Sequence, residues 1–319
     1  MMLEEIREQD AGVRFLRQVV EGKLTSPLLL VGDEGVGRRF SVQQAVRLMF
    51  CTGTREHSCS CVHCVQIRQG IHADFTILAP IDDRDIGVDA IRSLVTDSKT
   101  FPAMAPLRIF LIDGADRMTD AAANAFLKTL EEPPERTRFF LLAEAAEGVI
   151  PTVRSRCGMV RYRRLSEAFV QSVVQPFESD PVRLLVYVRM GEGSVGRSVR
   201  FCGAGRLALR NKTVDLLKAS LDKDLARSFS VLEGIEKDLP LSLRFLGQIL
   251  HDILMLPYDT SRLINLDLVE TLGQFRKAAS DRAWHQLGSG LRSIVARHHV
   301  TPINLQFHIK TLFVEVFGV

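Results

Sequence analysis

Four short apolar runs restrict the fold more than any other feature of the chain: Leu28-Leu29-Leu30-Val31, Phe75-Thr76-Ile77-Leu78, Ile109-Phe110-Leu111-Ile112 and Phe139-Phe140-Leu141-Leu142. A strand with one wet face alternates apolar and polar residues, so continuous apolarity predicts strands covered on both sides. Segments of helical character separate the runs, and a fifth candidate strand follows at Met159 to Tyr162. That alternation predicts an α/β domain built on a parallel sheet with flanking helices.

The clearest helix is Asp120 to Glu132. Ala123, Phe126, Leu127 and Leu130 fall on one face, with Asp120, Asn124, Lys128 and Glu131 on the other. Pro133-Pro134 ends it, because proline lacks the N–H donor and disfavours helical geometry in the residue before it. Beyond about residue 164 the strand signals fade into amphipathic segments broken at Asp180-Pro181, Gly191 to Gly196, Gly203 to Gly205, Leu239-Pro240, Pro257 and Thr301-Pro302. The expected organisation is an α/β core over 1–165, a small helical unit over 166–205 and a larger helical unit over 206–319.

A length of 319 residues accommodates two or three such domains. With 41 Lys+Arg against 38 Asp+Glu the net charge is +3, too even to mark a nucleic-acid binder by charge alone. The apolar runs are far shorter than the ~20 residues that span a bilayer. The N-terminal MMLEEIREQD is charged rather than signal-like, so a cytoplasmic location without membrane association is expected.

Directly after the first strand, Gly32-Asp33-Glu34-Gly35-Val36-Gly37-Arg38-Arg39 stands where a G-x-x-x-x-G-K-[ST] phosphate loop would be. Gly32, Gly35 and Gly37 suit a backbone cradle for an anion. Arg38 replaces the phosphate-binding lysine, and Arg39 replaces the hydroxyl that ligates Mg²⁺, with Ser41 out of register. Arginine keeps the charge as a bulky planar fork but supplies no metal-ligating oxygen. The bland reading is a glycine-rich strand-to-helix turn that binds nothing. The third apolar run ends in Asp113, as a metal-directing strand would, but Gly114 follows where many ATPases place a glutamate base. Asp113 fits either a residual functional role or a turn cap at a strand end. With three catalytic positions lost at separate places, no productive Mg-ATP chemistry is expected.

Cys51, Cys59, Cys61 and Cys64 crowd one short segment. In a cytosolic chain that density favours structural zinc, which accepts four thiolates and ties down a loop too small for its own core. One step is C-x-C rather than the usual C-x-x-C, and His57 and His63 are spare ligands. Free thiols in a divergent knuckle are the alternative.

Two further motifs, Thr119-Asp120-Ala121-Ala122-Ala123-Asn124-Ala125-Phe126-Leu127-Lys128-Thr129-Leu130-Glu131-Glu132-Pro133-Pro134 and Ile150-Pro151-Thr152-Val153-Arg154-Ser155-Arg156-Cys157, carry a family resemblance. Over essentially its first 205 residues the chain resembles the delta-prime subunits of bacterial DNA polymerase III clamp loaders, members of the AAA+ family. The resemblance implies an AAA+ core with an inserted zinc module at about 51–64, a small helical lid and an all-helical collar. It also implies that Arg156 is an arginine finger reaching into the ATP site of an adjacent subunit. Motor subunits of that family share the zinc module but keep the full phosphate loop and the Asp-Glu pair.

The chain departs from the family pattern in having one residue fewer before Cys61. Gly196 also stands where motor subunits carry a nucleotide-sensing arginine, with Arg197 one place later. Arg156 could instead be a solvated member of the basic run Arg154, Arg156, Arg161, Arg163 and Arg164, and Cys157 reads as a small buried residue.

The resemblance implies a non-hydrolysing subunit of a DNA polymerase holoenzyme. Its partners would be the gamma/tau motor subunits, the clamp-opening delta subunit and, through the assembly, the sliding clamp and primed DNA. The rivals are a divergent ATP-hydrolysing, gamma/tau-like motor and a stand-alone zinc-bearing DNA-binding module.

Overall fold

The computed structural model describes residues 2–81, 84–203, 205–300 and 304–318, which divide into one unit ending at Ser166 and another beginning at Glu167. The break expected at Thr301-Pro302 lies outside the described residues, as does Ala204 within the Gly203 to Gly205 break.

In the first unit β1 (Leu28–Val31), β2 (Phe75–Leu78), β3 (Arg108–Asp113), β4 (Thr137–Ala143) and β5 (Gly158–Arg161) form one parallel sheet of order β2-β3-β4-β1-β5. Helix α1 (Asp10–Val20) precedes β1, and between the strands lie α2 (Arg38–Phe50), α3 (Val62–Gln69), α4 (Val88–Ser98), α5 (Asp120–Glu131) and the single turn α6 (Pro151–Arg154).

The continuous apolarity of the strands has a direct cause. Leu28, Leu30, Ile109, Leu111, Phe140 and Leu142 enter a core shared with α1, α2 and α3. Leu29, Val31, Phe110, Ile112, Phe139 and Leu141 enter a second core beneath α4 and α5. Successive strand residues point to opposite faces, so β1, β3 and β4 feed both cores, whereas edge strand β5 buries only Val160, and each buried side chain contributes roughly 1.5–3 kcal/mol against exposure.

Thr119 caps α5, its hydroxyl accepting the Ala122 N–H at 3.2 Å. The helix stops at Glu131, one residue short of the sequence expectation, because Glu132 before Pro133 has left helical geometry at φ −126° and ψ 73°. The fifth strand begins one residue earlier than expected, at Gly158, and Tyr162 past its end still donates to the Val31 carbonyl at 2.7 Å.

Asp74 at the foot of β2 is fully buried, and its carboxylate accepts the backbone N–H groups of Ala103, Met104 and Ala105 at 2.7, 2.8 and 2.8 Å. Burial pushes this carboxyl up, but the three N–H donors outweigh it and hold it below its usual 3.8. The resulting stabilisation is complete above about pH 4 and fades as pH falls through the lowered value. Asp74→Asn, which turns an amide donor toward backbone donors, is expected to cost about 1–3 kcal/mol in urea unfolding at pH 7 and less near pH 3.

The second unit is helical throughout its described residues: α7 (Glu167–Val174), α8 (Pro181–Met190), α9 (Val195–Phe201), α10 (Arg206–Leu221), α11 (Leu225–Glu233), α12 (Leu239–Met255), α13 (Val269–Ala278), α14 (Asp281–Val300) and α15 (Leu305–Phe317), with short 3₁₀ turns between them. Its apolar core runs from Val186 and Phe201 through Phe245 to Trp284 and Phe313. No described helix is long and apolar enough to cross a membrane.

Candidate functional site

The glycine-rich loop leaves the C-terminal end of β1 and enters α2, the place where open parallel sheets bind ligands. Gly32 is required there by crowding, since a Cβ would sit 2.5 Å from the Tyr162 carbonyl oxygen. Gly37 precedes α2 at φ +98°, a left-handed conformation that a side chain would strain. The cradle glycines thus stand in the strand-to-helix turn that the sequence indicated, with Gly35 also at positive φ (76°).

Of the two arginines following Gly37, the first turns inward and the second stays exposed. Arg38 is buried, and its Nη1 donates to the Ala143 carbonyl at the end of β4. Arg39 Nη1 donates to Asp113 Oδ2 at 3.4 Å, so a guanidinium faces the carboxylate that a metal-directing strand would offer to Mg²⁺. Ser41 spends its hydroxyl on the Gly37 carbonyl within α2, at 2.7 Å. Gly114, at φ +108°, presents no side chain after Asp113.

A cavity of about 670 Å³ lies beside the loop, lined by Gln9, Phe15, Gly32, Glu144 and Tyr162 among others. Gln9 closes its rim. Its amide donates to the Arg163 carbonyl at 2.7 Å and accepts the Arg163 N–H at 3.0 Å. In the second unit Gly196 offers no side chain, and Arg197 is buried with Nε donating to the Gly191 carbonyl at 3.1 Å.

Cys51, Cys59, Cys61 and Cys64 come together, with all four sulfurs within 4.8 Å of one another. The Cys51 and Cys59 sulfurs are 3.5 Å apart and those of Cys51 and Cys61 3.9 Å. A tetrahedral zinc with Zn–S of ~2.3 Å needs sulfur–sulfur edges of about 3.8 Å, so the donor set and its spacing fit that ion. The short C-x-C step is accommodated because Cys61 is extended (φ −60°, ψ 157°) immediately before α3, which turns Cys64 back under α2. His57 and His63 stand outside the group: His57 Nδ1 faces Arg47 Nη1 at 3.5 Å, and His63 Nδ1 meets His72 Nε2 at 2.9 Å. The backbone N–H of Cys61 pulls the Cys59 thiol down to about 6, whereas burial pushes Cys64 up to about 12.

Arg156 follows the α6 turn and lies along the surface with its side chain 30% exposed. Its Nε donates to Glu131 Oε1 at 2.7 Å, Nη2 contacts the same oxygen, and Nη1 donates to the Thr152 carbonyl at 2.8 Å. The two sequence motifs therefore meet in space, the end of α5 supplying the carboxylate for the arginine after α6. Burial pushes the neighbouring Cys157 thiol up to about 12. Reading the sequence missed the Glu131 partner, for which the only signal was that both residues lie in the two most distinctive motifs.

A five-stranded parallel sheet with a glycine-rich loop after β1, an acidic end to β3 and a separate helical unit defines a chain of the AAA+ class. The family described as "DNA polymerase III, delta subunit" matches residues 8–166. The DNA polymerase III subunit delta' of Escherichia coli (strain K12) is 29% identical over 296 residues, covering 91% of this chain and 88% of the relative. The DNA polymerase III subunit gamma of Buchnera aphidicola subsp. Schizaphis graminum is 31% identical over 148 residues, 46% of this chain and 40% of that one. A DNA polymerase III gamma subunit-related protein from Thermotoga maritima has the same fold at a TM-score of 0.52 and 18% identity, covering 96% of this chain and 98% of its own. The chain belongs to the clamp-loader family of DNA polymerase III subunits, in which it is similar to delta'.

Proposed function

We propose that this chain is a non-hydrolysing subunit of a cytoplasmic DNA polymerase III clamp-loader assembly, which loads the sliding clamp onto primed DNA. The observation that carries this reading is that Arg38 and Arg39 are both engaged by groups of this chain, Arg38 buried and Arg39 at the surface. The residue in the lysine position is committed to the Ala143 carbonyl, and the residue in the metal-hydroxyl position faces Asp113. A cation already beside Asp113 disfavours Mg²⁺ there, and without a metal and a base the loop has no means of stabilising phosphoryl transfer.

The role left to the chain is positional. Arg156 would serve the ATP site of a neighbouring gamma/tau-type motor in trans, at the cost of its exposed contact with Glu131. Residues 166–205 would act as the lid and 206–319 as the collar joining motor and delta-type subunits. Cys51, Cys59, Cys61 and Cys64 would hold zinc, which would supply a structural cross-link and no chemistry.

A second reading, a divergent motor that hydrolyses ATP with Arg38 in place of lysine, draws on the cavity beside the loop and on the similarity to a gamma subunit. Mixing the chain with a relative that keeps an intact phosphate loop tests the assembly. One stable hetero-oligomer in size-exclusion with light scattering is expected, and separate elution at micromolar concentration would count against the proposed role.

A further inference from the structure

Arg47 is among the most deeply buried side chains of the protein, 1% exposed, on the face of α2 turned toward the cysteine loop. Its Nη2 donates to the His57 carbonyl at 2.5 Å, and its Nη1 to Gln44 Oε1 at 2.9 Å, with His57 Nδ1 at 3.5 Å. Its Nε is buried without a hydrogen-bond partner, and among the described residues Arg47 makes no ion pair with a carboxylate. Arg68 from α3 converges on the same turn, donating to the Cys59 carbonyl at 2.9 Å and the His57 carbonyl at 3.3 Å.

An uncompensated charge in a protein interior is strongly unfavourable, so a buried guanidinium calls for a buried anion. The cysteine group adjoins this residue and can supply one. Its backbone adjoins Arg47 directly, as the Arg47 carbonyl accepts the Cys51 N–H at 2.9 Å and lies 4.0 Å from the Cys64 sulfur. Four thiolates around one Zn²⁺ carry a net charge of about −2, and Cys51, Cys59 and Cys64 are buried members of the adjoining apolar core.

The geometry points to Arg47 as the internal counter-cation of the metal–thiolate centre, a positioning residue that ties the occupancy of the centre to the order of α2, the helix entered from the phosphate loop. This rests on the reading that the four cysteines hold zinc. Two consequences follow. Without Arg47 the thiolates are held less tightly; without the metal, the last turns of α2 keep a buried cation that has lost its anion.

The test begins with the zinc content of the full-length chain and the rate at which a colorimetric chelator removes the metal. Arg47→Met, similar in length but neutral, is expected to weaken retention by about 10–100-fold, the range typical of outer-shell partners. Arg47→Lys, which restores the charge without the fork, is expected to recover most of that loss. Equal losses from both variants would assign the effect to the His57 hydrogen bonds and overturn the counter-ion role, as would zinc release at the wild-type rate from Arg47→Met. Hydrogen exchange on the wild-type chain needs no variant: removing zinc is expected to raise exchange over residues 44–50 as well as 51–64. A change confined to 51–64 would overturn the inference while leaving the zinc reading intact. A wild-type chain folded without zinc would remove both.

Discussion

Arg156→Ala is expected to leave the folded chain unchanged in stability and to lower ATP hydrolysis at the motor interface it serves by about 10³-fold or more. Only exposed partners are lost, Glu131, the Thr152 carbonyl and the Ser155 hydroxyl, and an exposed ion pair contributes ~0–1 kcal/mol. In the assembly the loss is of another kind. The charge that spreads over the transferred phosphoryl group at one site loses its cation, and no other residue of the same motif can replace it. Total turnover of the complex would fall less, because other interfaces keep their own fingers. Arg154→Ala, two residues away and also basic, is the control. Equal losses from both variants would reduce the effect to general electrostatics, and full activity of an assembled Arg156→Ala complex would remove the finger assignment.

Cys64→Ser should abolish stoichiometric zinc binding and cost more than ~2 kcal/mol of stability, the size expected when a structural metal is lost. Cys64 is fully buried on α3, so the substitution would remove a ligand of the proposed zinc and also leave a hydroxyl in the apolar core. Cys61→Ser, at a half-buried sulfur, separates the two effects, since it should lose the metal with a smaller penalty. Elemental analysis and thermal unfolding read the two quantities independently. Four alkylatable thiols in a metal-free, fully folded wild-type preparation would exclude the zinc centre.

The inner strands β1, β3 and β4 were legible in the sequence because each feeds two cores. Phe139 and Phe140 point to opposite faces, so both had to be apolar, and the run stands out. The faces of α5 were legible for the converse reason, one side being buried and the other wet. The long-range polar pairings were not legible. Arg39 meets Asp113 across 74 positions, and Arg156 meets Glu131 across 25. Nothing in a local pattern distinguishes such an arginine from a solvated one. Arg47 was hidden by a different cause: α2 is buried around most of its circumference, so a charged residue among Val42, Ala45, Val46 and Leu48 reads as the wet face of a helix that has almost none. By spacing alone the two histidines beside the cysteines read as spare ligands, since spacing cannot show that His63 turns to His72 and His57 to Arg47.

The proposed function requires a phosphate loop that is catalytically silent in this chain and a role exercised on a neighbouring subunit. Phosphate release from ATP by the pure, isolated chain in the presence of Mg²⁺ tests it most directly. With Arg38 bound to the Ala143 carbonyl, Arg39 facing Asp113 and Gly114 in place of a base, release at the rate of the protein-free blank is expected. Turnover near ~1 s⁻¹, within the ordinary range of enzymes, would contradict the account and favour the motor reading.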